Sequence, residues 1–156
     1  MPRRYAVSFE NVTVAAVQDL ISIKAAAGKQ CRIMGMQISS LQTSSAIPTP
    51  QMLALKATVF IGAPTQGSGG STPTAIPFDA GDSAAGFTSH ANDTSQVTGG
   101  TAKEVFTGGC HVQAGFVYQF PIPPIVGPAE IFSFALYQAP TSVVLSGSVD
   151  VEETGG

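Results

Sequence analysis

Strict alternation of apolar and polar side chains is the feature that most constrains what this 156-residue chain can fold into. Because successive side chains of a β-strand point to opposite faces, a period of two residues gathers the apolar ones on one face of a sheet. The alternation is found in five stretches: residues 5–10, 52–61, 112–120, 132–136 and 143–152. Each has one apolar and one mainly polar face, which predicts antiparallel strands with one side against a core and the other in water.

The segment Val12–Ala27 fits two structures. A helix would have Asn11 as its N-cap and Gly28 as its stop. The segment is also rich in β-branched residues, which favour strands over helices. We therefore predict strands over residues 12–17 and 20–25, followed by a turn over 26–30 and a further strand over 31–39. A helix over Val12–Ala27 is the alternative.

Stretches rich in Gly, Ser, Thr and Pro separate these segments, and the longest of them cover residues 39–50, 63–85 and 91–101. Pro121–Pro124 cannot donate to a central ladder and is expected to cross an end of the fold. No repeat, alternation of strands with helices, or change of composition divides the chain. The sequence predicts an all-β fold, a single antiparallel β-sandwich of jelly-roll type with about eight strands, over residues 1–156.

Charge is scarce in this chain. Charged residues make up 11% of it and hydrophobic residues 44%, whereas about 25% charged is usual. Two explanations fit the low charge equally well: uncharged turns join short strands, or a partner covers part of the surface. The net charge is −3, and among the seven basic residues only Arg3 and Arg4 are adjacent, so we predict no direct contact with nucleic acid. No stretch resembles a secretory leader or approaches the ~18 apolar residues of a membrane helix, so we expect no membrane location.

Nucleophilic catalysis needs a nucleophile and a base that share a hydrogen bond. Cys110 and His111 are adjacent, but neighbours on a strand point to opposite faces and cannot form such a dyad. We expect Cys110 to point inward and His111 outward. Cys31 and Cys110 are the only cysteines, and we predict that both are free, small buried apolar residues rather than a disulfide.

Metal and acid–base sites are equally poorly supported. Asp79 lies three residues before Asp82, and His90 lies three before Asp93, but two ligands do not make a metal site. Turn-forming aspartates explain both pairs better. Glu152-Glu153 is a pair of neighbours near the C-terminus, and the chain has no tryptophan to stack on a sugar ring. We therefore predict no enzyme activity, no metal and no cofactor.

Several different short motifs are spread along the chain from its start to its end: Phe9-x-Asn11-Val12-Thr13-Val14-Ala15, Gln18-Asp19-Leu20-Ile21, Gly67-Ser68-Gly69-Gly70, the proline-rich stretch 121–128, Glu130-Ile131-Phe132, Ala139-Pro140 and Glu152-Glu153. With them, the chain resembles the small jelly-roll capsid decoration, or cement, proteins of tailed bacteriophages. The resemblance implies a virion structural protein on the outer capsid surface. Such a protein binds the major capsid protein shell as a homotrimer and stabilises it.

Two alternatives stay open at this point. Residues 1–5 are either a flexible arm, whose Arg3, Arg4 and Tyr5 contact acidic residues or a strand edge of the capsid, or a frayed terminus. The alternative function is a head-fibre or tail-fibre receptor-binding domain that attaches to host glycans through the long loops 63–85 and 91–101.

Overall fold

The computed structural model describes residues 2–40 and 48–155, which form eleven strands and no helix. The strands are β1 (Arg3–Val14), β2 (Asp19–Lys24), β3 (Gln30–Ser39), β4 (Met52–Ile61), β5 (Ile76–Pro77), β6 (Thr88–Asp93), β7 (Thr101–His111), β8 (Phe116–Gln119), β9 (Ile125–Val126), β10 (Ile131–Leu136) and β11 (Val143–Thr154). Within these residues there is accordingly no helix that could span a membrane. Part of the loop predicted over 39–50, residues 41–47, lies outside the described residues.

Two antiparallel sheets form a sandwich. The six-stranded sheet has the order β5-β1-β11-β3-β8, and β9 also pairs with β3. The five-stranded sheet has the order β6-β2-β10-β4-β7. Their inner faces enclose one core, whose largest fully buried side chains are Tyr5, Phe132, Phe134, Leu20, Ile21, Ile23, Ile33, Met36, Leu53, Leu55 and Leu136. The predicted all-β fold and antiparallel β-sandwich are confirmed, and the jelly-roll type stays a prediction.

The ambiguous segment Val12–Ala27 is not helical. Its β-branched residues extend β1 to Val14, which pairs with Val143, and then form β2, an interior strand of the five-stranded sheet between β6 and β10. The strand predicted over residues 12–17 therefore ends three residues early. β2 is buried on both faces, which a helix with one apolar stripe would not be.

Two other expectations were wrong in part. The alternation over residues 112–120 does not form one strand, because β7 ends at His111 and Gly115, at a φ of 72°, helps to reverse the chain into β8. The loops expected over 63–85 and 91–101 contain β5 and the end of β6. The strand number exceeds the expected eight partly because β5 and β9 have two residues each.

Candidate assembly surface

A buried polar cluster holds the connection after β6 against the outer face of the five-stranded sheet. The carboxylate of Asp19 accepts the N–H of Val97 at 2.7 Å, the hydroxyl of Ser133 at 2.7 Å and the amide of Gln96 at 3.3 Å. Burial raises the pKa of Asp19, and these three hydrogen bonds oppose the rise. Outer-face side chains that alternation would place in water, among them Ser22 and Ser133, are therefore buried.

The glycine-rich connection between β4 and β5 pairs with this region. Bridges join Thr65 to Thr98, Ser68 to Ser95 and Ser71 to Ala91. The carboxylate of Asp93 accepts the N–H of Gly70 at 3.1 Å and lies 3.0 Å from Nδ1 of His90. His90 and Asp93 are thus in contact, as their spacing allowed, and they hold a loop. Among the described residues, no three metal-ligating side chains come together.

The outer face of the six-stranded sheet, which we call the open face, is not covered in this way. Four of the nine exposed large apolar side chains of the described residues lie on it: Ile76, Phe78, Val117 and Ile125. Each of these four lies beside a residue of the same face: Ala6, Arg4, Gln37 and Arg32, in that order. Those four face outward because their chain neighbours, such as Tyr5 and Cys31, point into the core. The apolar side chains form two pairs that flank the central strands, with Ile76 and Phe78 beside β1 and Val117 and Ile125 beside β3, so a partner that spans the face would cover both pairs.

Paired charges occupy the middle of the open face. Register places Arg4, Glu152 and Arg32 side by side on β1, β11 and β3. The carboxylate of Glu152 lies 3.3 Å from Nε of Arg4 and 3.6 Å from Nη1 of Arg32, and it is almost fully buried beneath them. Farther along the same strands, the amide of Gln37 donates to the hydroxyl of Ser148 at 2.7 Å. Most polar groups at the centre of the open face are thus already paired.

The sandwich also has one open edge, formed by β7 and β8. Residues 101–105 of β7 are all exposed, and β4 is its only strand partner in the described part of the chain. Partly buried aromatic rings close the gap between the sheets here, with the Phe106 ring centroid 4.8 Å from that of Tyr118 and 5.3 Å from that of Phe116. The opposite edge is covered in part, because β5 pairs with Tyr5 and Ala6 of β1 and Ser71 pairs with Ala91 of β6.

The predicted contact residues do not form an arm. Arg3, Arg4 and Tyr5 begin β1 and pair with Glu153, Glu152 and Val151 of β11. Tyr5 is fully buried and donates its hydroxyl to the carbonyl of Ser83 at 3.0 Å, so it cannot reach a partner. Arg3 contacts Ser83 and Asp82 at the end of the sandwich. Of the three, Arg4 alone lies on the open face.

The cysteines are free, as predicted, but only Cys31 is fully buried. Both cysteines are free: Cys31 is buried in β3 and Cys110 is half-buried in β7. Burial and the nearby carboxylate of Glu153 raise the pKa of Cys31 to about 12, and burial raises the pKa of Cys110. Cys110 faces inward opposite the buried Leu53. Neither thiol is activated as a nucleophile, since a nucleophilic cysteine needs a lowered pKa.

Comparisons with known proteins add little. No protein-family model matches the chain, and no curated protein matches it. A chain in the crystal structure of an IBDV viral particle is similar over 99% of this chain, at 14% sequence identity and a TM-score of 0.22. The present chain spans about 40% of the length of that one. A likeness with so low a TM-score carries no argument about fold or function.

Proposed function

We propose that this protein is a virion structural protein, a capsid decoration or cement protein. It binds the outer surface of the major capsid protein shell as a homotrimer and stabilises the shell. The observation that carries the proposal is the contrast between the two outer faces: the chain's own loops cover the β6, β2 and β10 side of one, and the other presents four exposed apolar side chains beside paired charges. The sequence resemblance to phage decoration proteins supports the capsid as the partner.

The open face suits a large protein partner. Covering it removes apolar area from water, which favours association at roughly 25 cal/mol per Å². Glu152 is already compensated by Arg4 and Arg32, so a partner can cover these groups without stranding an unpaired charge. A trimer would make this contact with several shell subunits at once, and such multivalency strengthens binding far beyond a single contact.

A jelly roll is part of the proposal, and strand order supports it. The longer strands follow β1-β11-β3-β8 in one sheet and β2-β10-β4-β7 in the other. Each sheet thus combines strands from both ends of the chain, and β1 to β2, β3 to β4, β7 to β8 and β10 to β11 all cross between sheets. Interleaved Greek keys of eight strands have this character.

The alternative, a fibre domain that binds glycans through its long loops, has less support. Those loops are engaged within the chain, since Thr65, Ser68 and Ser71 pair with the strand and loop around residues 91–98. A decoration protein and a fibre domain also differ in copy number within purified particles. The first should approach one copy per major capsid subunit, whereas the second should number in the tens.

The trimer should form through the open edge. Val105 is exposed on β7, and a charge at this position should prevent another copy from covering the edge. We expect light scattering to give roughly three times the 15.9 kDa chain mass for the unchanged protein and roughly one chain mass for Val105→Asp.

Val17→Asp is the matched control, because Val17 in the turn after β1 is 38% exposed and Val105 is 39% exposed. This control should remain a trimer. Two results would contradict assembly through the open edge: the unchanged protein is monomeric at working concentration, or the Val105→Asp variant stays trimeric.

A further inference from the structure

A pocket of about 360 Å³ opens in the open face, beside the paired charges. Its walls are Arg4, Met34, Phe78, Gln119, Asp150 and Val151. Met34 lies at a β-bulge, where the register between β3 and β11 shifts between Asp150 and Val151. Phe78 stands on the opposite side, 65% exposed, and its backbone N–H is held by the carbonyl of Arg4.

The carboxylate of Asp150 is the unsatisfied group of this pocket. It is half-buried, and within residues 2–40 and 48–155 no donor lies within hydrogen-bonding distance of it, nor does it form an ion pair there. Burial raises its pKa, and the nearby Arg4 opposes the rise. Because this carboxylate is half-exposed, a cation or a hydrogen-bond donor from outside the chain can reach it as its partner.

Arg4 does not supply that partner. Its Nε is 3.3 Å from the carboxylate of Glu152, which it shares with Arg32. Gln119 faces the same space from β8, where its side chain packs so closely on Gly35 that a Cβ there would lie 2.5 Å from the amide nitrogen. The pocket thus combines a free carboxylate and an amide with two apolar walls, Met34 and Phe78.

We propose that this pocket binds a basic side chain, lysine or arginine, of the protein that covers the open face. The cationic group donates to Asp150, and the aliphatic stem lies between Met34 and Phe78. Long basic side chains bury their stems on apolar surface in this manner, and the face of an aromatic ring attracts the cation as well. The inference rests on the proposed function, because it names the chemistry of the partner at the same face.

Capped tripeptides test the pocket in the intact protein. N-acetyl-Gly-Lys-Gly-amide should shift the NMR signals of the Met34 methyl group and the Phe78 ring in a saturable way. The corresponding Gly-Gln-Gly peptide should not. Asp150→Asn should weaken binding of the lysine peptide by about tenfold or more, since it removes one charge-assisted contact. This isosteric change removes no hydrogen bond within the described residues, so the fold should be retained.

Two further variants sharpen the result. Glu10→Gln removes an exposed carboxylate of β1 outside the pocket and should leave binding unchanged. Phe78→Ala removes one wall and should weaken binding. The proposal would be overturned if the lysine and glutamine peptides shifted the NMR signals equally. It would also be overturned if the Asp150→Asn variant bound the lysine peptide as tightly as the unchanged protein does. So would a stronger response to a Gly-Glu-Gly peptide, because Arg4 would then be the determinant.

The outcome is separate from that of the proposed function. Lysine-peptide binding that depends on Asp150, together with absence of the chain from particles, would retain the pocket and reject the capsid as its partner. If the chain is abundant in particles but does not respond to the lysine peptide, the proposed function is retained and the basic-side-chain pocket is rejected.

Discussion

Replacing Asp19 with Ala should lower the free energy of unfolding by about 3 kcal/mol. The substitution leaves the N–H of Val97 and the hydroxyl of Ser133 without their shared acceptor, and both residues are buried. Stranding buried donors costs more than the bonds themselves contribute. Urea unfolding, followed by the β-sheet circular dichroism signal, measures the change.

The effect should depend on pH in a defined direction. The pKa of Asp19 is raised in the folded state above its ordinary value of 3.8, so ionisation costs stability, and this cost is absent at low pH and complete above the folded pKa. Asp19→Ala should therefore lose more stability at about pH 4 than at about pH 7. Asp79→Ala, in an exposed turn, is the control and should cost less than about 1 kcal/mol at either pH. Equal losses for Asp19 and Asp79 would show that the buried cluster does not hold the loop.

Gly70→Ala should destabilise the fold by about 2–3 kcal/mol. A Cβ at Gly70 would lie 2.0 Å from the carbonyl oxygen of Ala91 and 2.6 Å from the carbonyl carbon of Asn92. Both are backbone atoms, so no side-chain rotation relieves the contact. The bridge between Ser71 and Ala91, with N–O distances of 2.8 and 2.9 Å, must then open. Amide hydrogen exchange at Ser71 and Ala91 should accelerate alongside the loss of stability.

Gly81→Ala is the matched control. Its nearest neighbour to a new Cβ is a carboxylate oxygen of Asp79 at 3.4 Å, an ordinary contact, and its backbone is not left-handed. This variant should stay within about 0.5 kcal/mol of the unchanged protein. If Gly70→Ala and Gly81→Ala unfold at the same urea concentration, the loop around Gly70 does not pack against β6 as described.

Alternation predicted the strands that have one wet and one dry face. Val149 and Val151 of β11 are buried, and their neighbour Asp150 is half-exposed. β6 and β7 lack such a pattern for opposite physical reasons. β6 is buried on both faces near Ala91 and Asp93, whereas β7 is exposed on both faces over residues 101–105. Where both faces have the same environment, a period of two residues is not required, although β10 has one while it is buried on both faces.

The open face could be predicted only in part. Val117 is an apolar residue on the polar side of its alternating stretch, and that exception is a signal for an interface. Ile76 and Phe78 lie in a connection without periodicity, so nothing local places them on the face. The contact of Arg4 with Glu152 joins residues 148 positions apart, and only the register of β1 with β11 creates it. Arg3 and Tyr5 were expected to act with Arg4, but on a strand their side chains point away from it.

The proposed function would use two separate surfaces of the chain. Within the described residues, the chain's own loops cover part of one edge and part of one outer face, while the open face and the open edge remain available for other chains. Contacts with a shell and contacts between copies would then use separate surfaces. Under the proposed function, this separation would let a trimer form before it binds, so that its three open faces would act together.

The copy number of this chain in purified virus particles tests the central proposal most directly. Quantitative mass spectrometry can measure its molar ratio to the major capsid protein. The proposal predicts a ratio that approaches one chain per capsid subunit. A few tens of copies per particle would instead indicate a fibre domain, and absence of the chain from the particles would contradict a structural role in the virion altogether.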